Sequence, residues 1–307
     1  MDHIEARHMD GLNLSAAEVV AALETMLHQK IRGGAWSAPK STLLPGDGRY
    51  LMSTLAACDD PALMAVKSLV VNPHNPAQGL AGINAIVTLQ HGQTGVPLAT
   101  LDGNWITAVR TAGLSALVAR YLAPATASEI GFIGCGVQAR SHLQVLAQLY
   151  PLRRVRAFGR GARNLSLLSE HCAELGLGFE ACPEPEAVVR SADLLVSSVT
   201  LDVGMKPFLD ARWLKPGSYA AITDLGLPWY GDSLQSLSTL VIDDLEQEAA
   251  MERPLANPAW VSGDLAALVT GGVSAAPAAG ASAFVFRGLA LADLALSALV
   301  WKRVSGT

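Results

Sequence analysis

A glycine-rich turn at residues 134–139, Gly-Cys-Gly-Val-Gln-Ala, has the G-x-G-x-x-A spacing of a dinucleotide-binding loop. The first glycine permits a tight turn, the second lets the backbone approach a pyrophosphate, and the small Ala139 lets the next helix pack closely. The N–H groups that begin this helix would hold the phosphates. An ordinary glycine turn is the alternative. The candidate nucleotide contacts are Gly134, Gly136, Val137 and Gln138.

The residues after the next predicted strand, 154–158, indicate which dinucleotide could bind. NAD enzymes usually carry Asp or Glu at the end of this strand, where it holds the ribose 2′-OH. Here Arg160, Arg163 and Asn164 follow, and residues 159–164 include no acid. We therefore predict that NADP(H) is preferred and that NAD(H) is possible; solvated surface arginines are the alternative.

Lys67 lies in an otherwise apolar predicted strand, residues 62–71. Removing a lysine charge from water is costly, so a buried lysine without a role is rare. A cationic side chain at such a place suits the binding of a carboxylate. The alternative is a lysine on the solvent-facing side of an alternating strand.

Asp224 directly follows another predicted strand, residues 219–223. Residues at the carboxyl ends of parallel strands face the ligand crevice. A carboxylate there can stabilise a cationic nitrogen or exchange its proton, although a turn-forming aspartate is the alternative. Thr200, after the predicted strand at 194–199, is either a further cofactor contact or a plain turn residue.

Two kinds of pattern would position these residues. The first third contains helix and strand signals, at residues 14–30 and 105–121 for helices and at 50–56, 62–71, 80–89 and 96–101 for strands. Strands and helices then alternate, with strands at 130–133, 154–158, 194–199, 219–223 and 239–243 and helices at 137–149, 164–175 and 185–191. This alternation predicts a parallel sheet with helices on both faces. An Ala/Leu helix at 288–304 should return to pack on the first third.

The composition excludes several classes of protein. Of the 307 residues, 50% are hydrophobic and 16% are charged, so the chain can bury a large core. The length gives a prior of two domains. The 22 basic and 27 acidic residues give a net charge of −5 without a basic run, which argues against nucleic-acid binding.

The sequence contains few features that indicate a cellular compartment, a metal site or a membrane span. The four cysteines form no CxxC pair and no Cys/His ligand spacing, so we expect a reducing cytoplasm and no metal site. Asp243 and Asp244 lack nearby His or Cys and are predicted to be structural, and His142 is predicted to pack or to lie on a helix surface. The uncharged stretches 68–101 and 265–286 are too polar or too broken for a membrane-spanning helix.

The chain resembles the ornithine cyclodeaminase/mu-crystallin family in blocks spread over nearly its whole length. The blocks are Val66-Lys67-Ser68 with Asn72-Pro73, Arg110-Thr111-Ala112 with Ser115-Ala116, residues 133–139 with His142, Thr223-Asp224-Leu225-Gly226, residues 241–247 and residues 288–293. The resemblance implies a Rossmann-type dinucleotide-binding domain, residues 123–286, inserted in a split α+β substrate-binding and dimerisation domain, residues 1–122 and 287–307. It also implies small amino- or imino-acid substrates and a homodimer.

The resemblance also implies roles for individual residues. Lys67 and Asp224 are the expected catalytic residues, and the expected substrate contacts are Lys40, Met52, Lys67 and Arg110. Arg110, Thr111 and Asp224 are expected beside the cofactor.

Three positions depart from the family pattern. Lys40 stands where many relatives have arginine, which replaces a planar fork by a point charge. Gly226 stands in place of a proline, so the loop after Asp224 is expected to differ in shape. Phe286 replaces a serine beside the nicotinamide and would make that pocket more apolar.

The family includes several activities, so three functions stay open. The first is an NADPH-preferring reductase of cyclic ketimines, Δ1-pyrroline-2-carboxylate or Δ1-piperideine-2-carboxylate, and the missing acid after residue 158 favours it. The second is an ornithine or lysine cyclodeaminase or an alanine-type dehydrogenase. The third is a mu-crystallin-like, NADPH-dependent ligand-binding protein, which the retention of Lys67, Arg110 and Asp224 argues against.

Overall fold

The computed structural model describes residues 2–201, 204–274 and 280–306. The chain divides into a first unit, Met1–Arg110 with Leu289–Thr307, and a second unit, Thr111–Gly288. Residues 1, 202–203, 275–279 and 307 of the predicted domain ranges lie outside the described part of the chain, as do residues 275–279 of the uncharged stretch 265–286. The substrate-binding and dinucleotide-binding roles of the two domains stay predictions.

The first unit contains a mixed sheet. Its strands are β1 (Asp2–Ile4), β2 (Ala35–Ser37), β3 (Ser41–Leu43), β4 (Tyr50–Asp59), β5 (Ala62–Val71), β6 (Ile83–His91) and β7 (Pro97–Asp102). They lie in the order β1-β7-β6-β5-β4-β2, with β3 also paired with β4, and only β1 and β7 are parallel neighbours. The four longer strands were predicted, whereas β1, β2 and β3 are too short to show an alternating pattern.

Both units contain helices. They are α1 (Ala6–Asp10), α2 (Ala16–Ile31), α3 (Gly103–Leu122), α4 (Val137–Leu146), α5 (Ala162–Glu174), α6 (Pro185–Ser191), α7 (Leu245–Ala249), α8 (Leu265–Val269) and α9 (Ala290–Ser305). A capping box begins α2, in which the Ser15 side chain accepts from the Glu18 N–H and the Glu18 side chain accepts from the Ser15 N–H. As predicted, the C-terminal helix packs on the first third, because α9 contacts α2, β4 and β5.

Alternation along β5 determines which of its side chains are buried. Successive side chains of a strand point to opposite faces, and Leu63, Ala65, Lys67 and Leu69 are buried. Lys67 therefore shares its face with apolar neighbours, which excludes the solvent-facing alternative.

The second unit contains a fully parallel sheet. Its strands are β8 (Glu129–Ile133), β9 (Arg154–Phe158), β10 (Gly178–Ala181), β11 (Leu194–Ser197), β12 (Tyr219–Ile222), β13 (Thr239–Ile242), β14 (Gly263–Asp264) and β15 (Ser282–Val285). Their order is β10-β9-β8-β11-β12-β15-β13-β14. Every residue of β11, β12, β13 and β15 is buried, so both faces of these strands are covered. The predicted parallel α/β arrangement is confirmed.

No described helix is both long and apolar enough to cross a membrane. The four cysteines are free, buried thiols.

Candidate active site

A buried ion cluster forms inside the first unit around Lys67. Its Nζ lies 2.7 Å from Oδ1 of Asp293 on α9, and Nε of Arg110 on α3 lies 3.0 Å from the same oxygen. Thr54 of β4 donates a hydrogen bond of 3.3 Å to the other oxygen, Oδ2. Lys67 is 1% exposed, Asp293 3% and Arg110 7%, so all three charged side chains are buried.

Two cations and one anion give this cluster a net positive charge. The Nε–H of Arg110 is buried and has no hydrogen-bond partner among the described residues, since its ion pair with Asp293 lacks hydrogen-bond geometry. The cluster can therefore accept one further anion with a hydrogen-bond acceptor.

Burial and charge act in opposite directions on these groups. The pKa of Lys67 is lowered to about 8, chiefly by burial; Asp293 opposes this lowering and Arg110 adds to it. Burial would raise the pKa of Asp293, but the charges of Lys67 and Arg110 hold it below its usual range. Near pH 7 Lys67 and Asp293 are therefore in their charged forms.

The other predicted substrate contacts in the first unit are less enclosed. Lys40 lies between β2 and β3, is partly exposed, and helps to lower the pKa of Asp293. Met52 is partly buried on β4, opposite Leu69.

Thr111, a predicted cofactor contact, is buried on α3 in the second unit, where its carbonyl lies 3.2 Å from the Ser115 hydroxyl.

The predicted glycine turn joins β8 to α4. Gly134 has φ +88°, and a Cβ there would lie 2.6 Å from the Ser198 carbonyl oxygen, so a side chain is excluded. A Cβ at Gly136 would meet no protein atom within 4 Å, and Gly136 begins α4 without a side-chain cap. Val137 is exposed, and Oε1 of Gln138 is buried without a hydrogen bond to any residue that the structure describes. Open backbone and uncapped N–H groups fit a bound pyrophosphate.

The predicted cofactor-selecting residues lie at the start of α5. Arg160, Arg163 and Asn164 are exposed, and neither arginine side chain has an ion pair with any described residue. The predicted extent of the strand before Thr200 was wrong. It ends at Ser197, because the Val199 N–H leaves the sheet to bind the Asp224 carboxylate, so Thr200 lies in an exposed loop.

Asp224 lies just beyond β12 and is 1% exposed. The Ser197 hydroxyl donates to its Oδ2 at 2.7 Å, the Val199 N–H donates to the same oxygen at 3.2 Å, and Trp229 Nε1 donates to the Ser197 hydroxyl. The other oxygen, Oδ1, is buried, and no residue in the described part of the chain forms a hydrogen bond with it. Burial raises the pKa of Asp224 to about 6, although these hydrogen bonds oppose the rise. Such a carboxyl group can exchange a proton near neutral pH.

The loop after Asp224 has an unusual backbone. Leu225 has φ +58° and Gly226 has φ +70°. Proline is fixed near −65°, so it could not take the conformation of Gly226. A leucine in the left-handed region costs about 1–2 kcal/mol, so the chain holds strain directly beside the carboxylate.

The remaining sequence candidates are structural. His142 is fully buried; because the Gln138 carbonyl can only accept, Nδ1 donates to it and Nε2 accepts from the Ser115 hydroxyl. Burial lowers the pKa of His142 to about 4, which keeps the ring neutral. Asp243 accepts the N–H groups of residues 287 and 288, and Asp244 caps α7. The packing role of His142 and the structural roles of the aspartates are confirmed.

Phe286 is buried in the second unit. Its ring stacks on Phe284 with the centroids 4.5 Å apart. Its predicted effect on a nicotinamide pocket stays a prediction.

Several residues of these clusters were not among the sequence candidates, including Asp293, Thr54, Ser197 and Trp229. Asp293 lies in the family block at residues 288–293 but was not predicted to be a site residue. A lone aspartate in an apolar helix is nevertheless a charged residue at a buried position, as Lys67 is in its apolar strand. Ser197 gave no signal, because a serine at the end of a strand has many possible roles.

The comparisons with known proteins agree with one another. A model of the ornithine cyclodeaminase/mu-crystallin family matches residues 3–306. Alanine dehydrogenase of Archaeoglobus fulgidus is 29% identical over 241 residues, covering 76% of this chain and 71% of that protein. Ketimine reductase mu-crystallin of Mus musculus is 30% identical over 226 residues, covering 71% and 68% respectively.

The fold is also similar to that of solved structures. That of Thermococcus litoralis Δ1-pyrroline-2-carboxylate reductase, in complex with NADH and L-proline, gives a TM-score of 0.90 at 20% identity. The match covers 100% of this chain and 98% of that one.

Proposed function

The chain belongs to the ornithine cyclodeaminase/mu-crystallin family, and we propose that it catalyses the NAD(P)H-dependent reduction of cyclic ketimine acids. The substrates are Δ1-pyrroline-2-carboxylate, which gives proline, and Δ1-piperideine-2-carboxylate, which gives pipecolate. The observation that carries the proposal is the buried cluster of Lys67, Arg110 and Asp293, which has two cations and one anion. A substrate carboxylate supplies the missing negative charge.

Lys67 and Arg110 bind the substrate carboxylate in this proposal. The unpartnered Nε–H of Arg110 donates to it, and Lys40 adds positive charge that already acts on Asp293. Ion contacts removed from water are stronger than exposed ones. Held by its carboxylate, the ring presents its C=N carbon in one orientation.

The second unit binds the dinucleotide. Gly134, Gly136, Val137 and Gln138 hold its pyrophosphate, as the open backbone at Gly136 and the uncapped start of α4 support. When bound, the reduced nicotinamide is the source of the hydride that adds to the imine carbon.

Asp224 stabilises the protonated imine nitrogen and exchanges its proton. With a pKa of about 6, the carboxylate is mostly charged at pH 7, so it favours the iminium form that accepts hydride. Its unpartnered Oδ1 is the oxygen that we assign to this contact.

NADP(H) is the preferred cofactor because Arg160 and Arg163 are exposed cations without ion-pair partners among the described residues. Replacing both by alanine should lower kcat/KM for NADPH by about tenfold or more, since hydrogen bonds to charged groups contribute about 1.5–3 kcal/mol each. The value for NADH should change little. Steady-state kinetics with both cofactors measure this, and an equal change for both would contradict the assignment. The matched control replaces Arg153 and Arg154, at the opposite end of β9.

An amino-acid dehydrogenase or a cyclodeaminase is the second candidate. The 29% identity to alanine dehydrogenase favours it, and the same cluster would bind an amino-acid carboxylate. The arginines after β9, where NAD enzymes place an acid, weigh against the NAD that a cyclodeaminase recycles.

One assay separates these activities. Oxidation of NADPH and NADH is followed with each cyclic ketimine acid, and ammonia release is followed with ornithine or lysine and catalytic NAD+. Fast, NADPH-preferring oxidation supports the reductase. Ammonia release without ketimine reduction overturns it in favour of the cyclodeaminase, and NADH formation from alanine and NAD+ without ketimine reduction points to the dehydrogenase.

We also propose a homodimer in the cytoplasm. On the face of β4, β5 and β6 opposite the buried one, Leu55, Met64, Val70 and Ile86 are exposed, and such apolar patches mark interaction sites. Light scattering should give twice the monomer mass, and Met64→Lys should weaken the assembly. A monomeric wild-type protein would contradict this. The four free thiols fit a reducing compartment.

A further inference from the structure

We propose that Asp293 is a positioning residue, which holds the Lys67 ammonium and the Arg110 guanidinium together as one receptor for a single carboxylate. The identity of the ligand rests on the proposed function. The electrostatic coupling between Asp293 and Lys67 does not, and it can be tested without any substrate.

The geometry makes Asp293 the centre of the cluster. Its Oδ1 contacts both Lys67 Nζ, at 2.7 Å, and Arg110 Nε, at 3.0 Å, so one atom fixes side chains from β5 and α3. Its Oδ2 accepts from Thr54 on β4. A carboxylate bound on three sides in this way has little rotational freedom, so the two cations that it contacts are also fixed.

Asp293 lies in an apolar stretch of α9, where an unpaired carboxylate would destabilise the fold. The helix reads Ala-Leu-Ala-Asp-Leu-Ala-Leu at residues 290–296, and every one of these residues is buried. Burying a carboxylate costs several kcal/mol unless it is paired. An apolar residue at 293 would avoid that cost, but it would leave Lys67 and Arg110 buried beside each other with no anion.

The charged groups around Lys67 determine how it should respond to the loss of Asp293. Asp293 of α9 raises the pKa of Lys67, whereas burial and Arg110 of α3 lower it, with a net value of about 8. Lys40 acts on Asp293 from the segment between β2 and β3. Asp293→Asn leaves two buried cations without an anion, so Lys67 should lose its proton at a lower pH than in the wild type.

The kinetic test is the pH profile of Asp293→Asn relative to the wild type. We expect the alkaline limb of kcat/KM to move down by about one pH unit or more, which corresponds to about a tenfold change in the protonated fraction of Lys67. The loss should appear mainly in KM, shrink toward pH 6 and reach its full size above pH 8. A loss of the same size at every pH would show a merely structural role and overturn the proposal.

Ser297→Ala is the matched control on the same helix. Ser297 is buried one turn beyond Asp293, and its hydroxyl donates to the Asp293 backbone carbonyl. Its loss disturbs α9 without changing a charge, so the pH profile should not shift. A shift in this control would mean that packing of α9, and not the carboxylate, controls the profile.

The second readout needs no substrate. The free energy of unfolding is measured against pH for the wild type and Asp293→Asn. A lowered lysine pKa makes stability rise with pH, and this rise should start at lower pH in the variant; the deficit of the variant should therefore shrink toward pH 8 and then stay constant. A deficit independent of pH would overturn the coupling even if ketimine reduction is confirmed. A shrinking deficit would uphold the coupling even if no ketimine is reduced.

Thr54→Val serves if Asp293→Asn does not fold. It removes the hydrogen bond to Oδ2 and leaves all three charges in place. KM should rise with kcat largely retained, and an unchanged KM would overturn the positioning role.

Discussion

Replacing Lys67 by methionine should lower kcat/KM for cyclic ketimine acids by about two to three orders of magnitude, because truncating one partner of a buried charge pair costs about 2–5 kcal/mol. Methionine fills similar space but removes the ammonium that lies 2.7 Å from Asp293. Arg110 and Asp293 then balance each other, so the buried cluster loses the net positive charge that attracts the substrate carboxylate. Steady-state kinetics at pH 7 measure the loss, which should appear mainly in KM.

The same substitution should not unfold the protein. The pKa of Lys67 is lowered from 10.5 to about 8, so below pH 8 its buried charged form costs stability, and this cost declines as the pH rises from about 8 to 10.5. Lys67→Met removes the cost and leaves Asp293 beside Arg110. Thermal unfolding at pH 7 should show a stability no lower than that of the wild type. Lys302→Met, at an exposed lysine near the end of α9, is the matched control and should retain activity.

A Lys67→Met enzyme with wild-type kcat/KM would contradict the role of this lysine in binding. Lost activity together with lost stability would point to folding as the cause.

Asp224→Asn should lower kcat by about 10²- to 10⁴-fold, the usual contribution of a positioned acid or base. Asparagine keeps the shape and can still accept from Ser197 and Val199, but it carries no charge and exchanges no proton at neutral pH. The measurement is kcat at saturating substrate and cofactor. An unchanged kcat would show that the carboxylate only joins the ends of β11 and β12.

Asp224→Asn should lower kcat, but it should not lower the stability of the fold at alkaline pH. Burial raises the pKa of Asp224 from 3.8 to about 6, which means that the fold favours the protonated carboxyl group. This contribution to stability is fully present below pH 3.8 and is lost as the pH rises through 6. That loss is on the order of 3 kcal/mol by pH 8. The variant has no charge to bury, so its unfolding temperature at pH 8 should be no lower than that of the wild type. Asp243→Asn, at another buried aspartate after a strand, is the matched control and should keep its activity.

Features of the fold with strong local signals were predictable from the sequence. Gly134 and Gly136 lie between β8 and α4 as expected, because a turn with positive φ and a close backbone approach both require glycine. Lys67 is buried as expected, because the alternation of β5 places it on the apolar face.

Other features depend on contacts that are distant in the chain. The strand β15 lies between β12 and β13, yet it was not predicted, because Ser-Ala-Phe-Val in an Ala- and Gly-rich stretch has no alternating pattern. Asp293 lies 226 residues from Lys67, so their ion pair could not be found from local spacing. The partners of a buried charge become visible only when the strands and helices are assembled.

The most direct test of the account compares two cyclic imines that differ only in the carboxylate. The rate of NADPH oxidation is measured with Δ1-piperideine-2-carboxylate and with Δ1-piperideine, which lacks the acid group. If the cluster of Lys67, Arg110 and Asp293 binds the carboxylate, kcat/KM should be lower for Δ1-piperideine by about two orders of magnitude or more. Equal values of kcat/KM for the two imines would contradict the account.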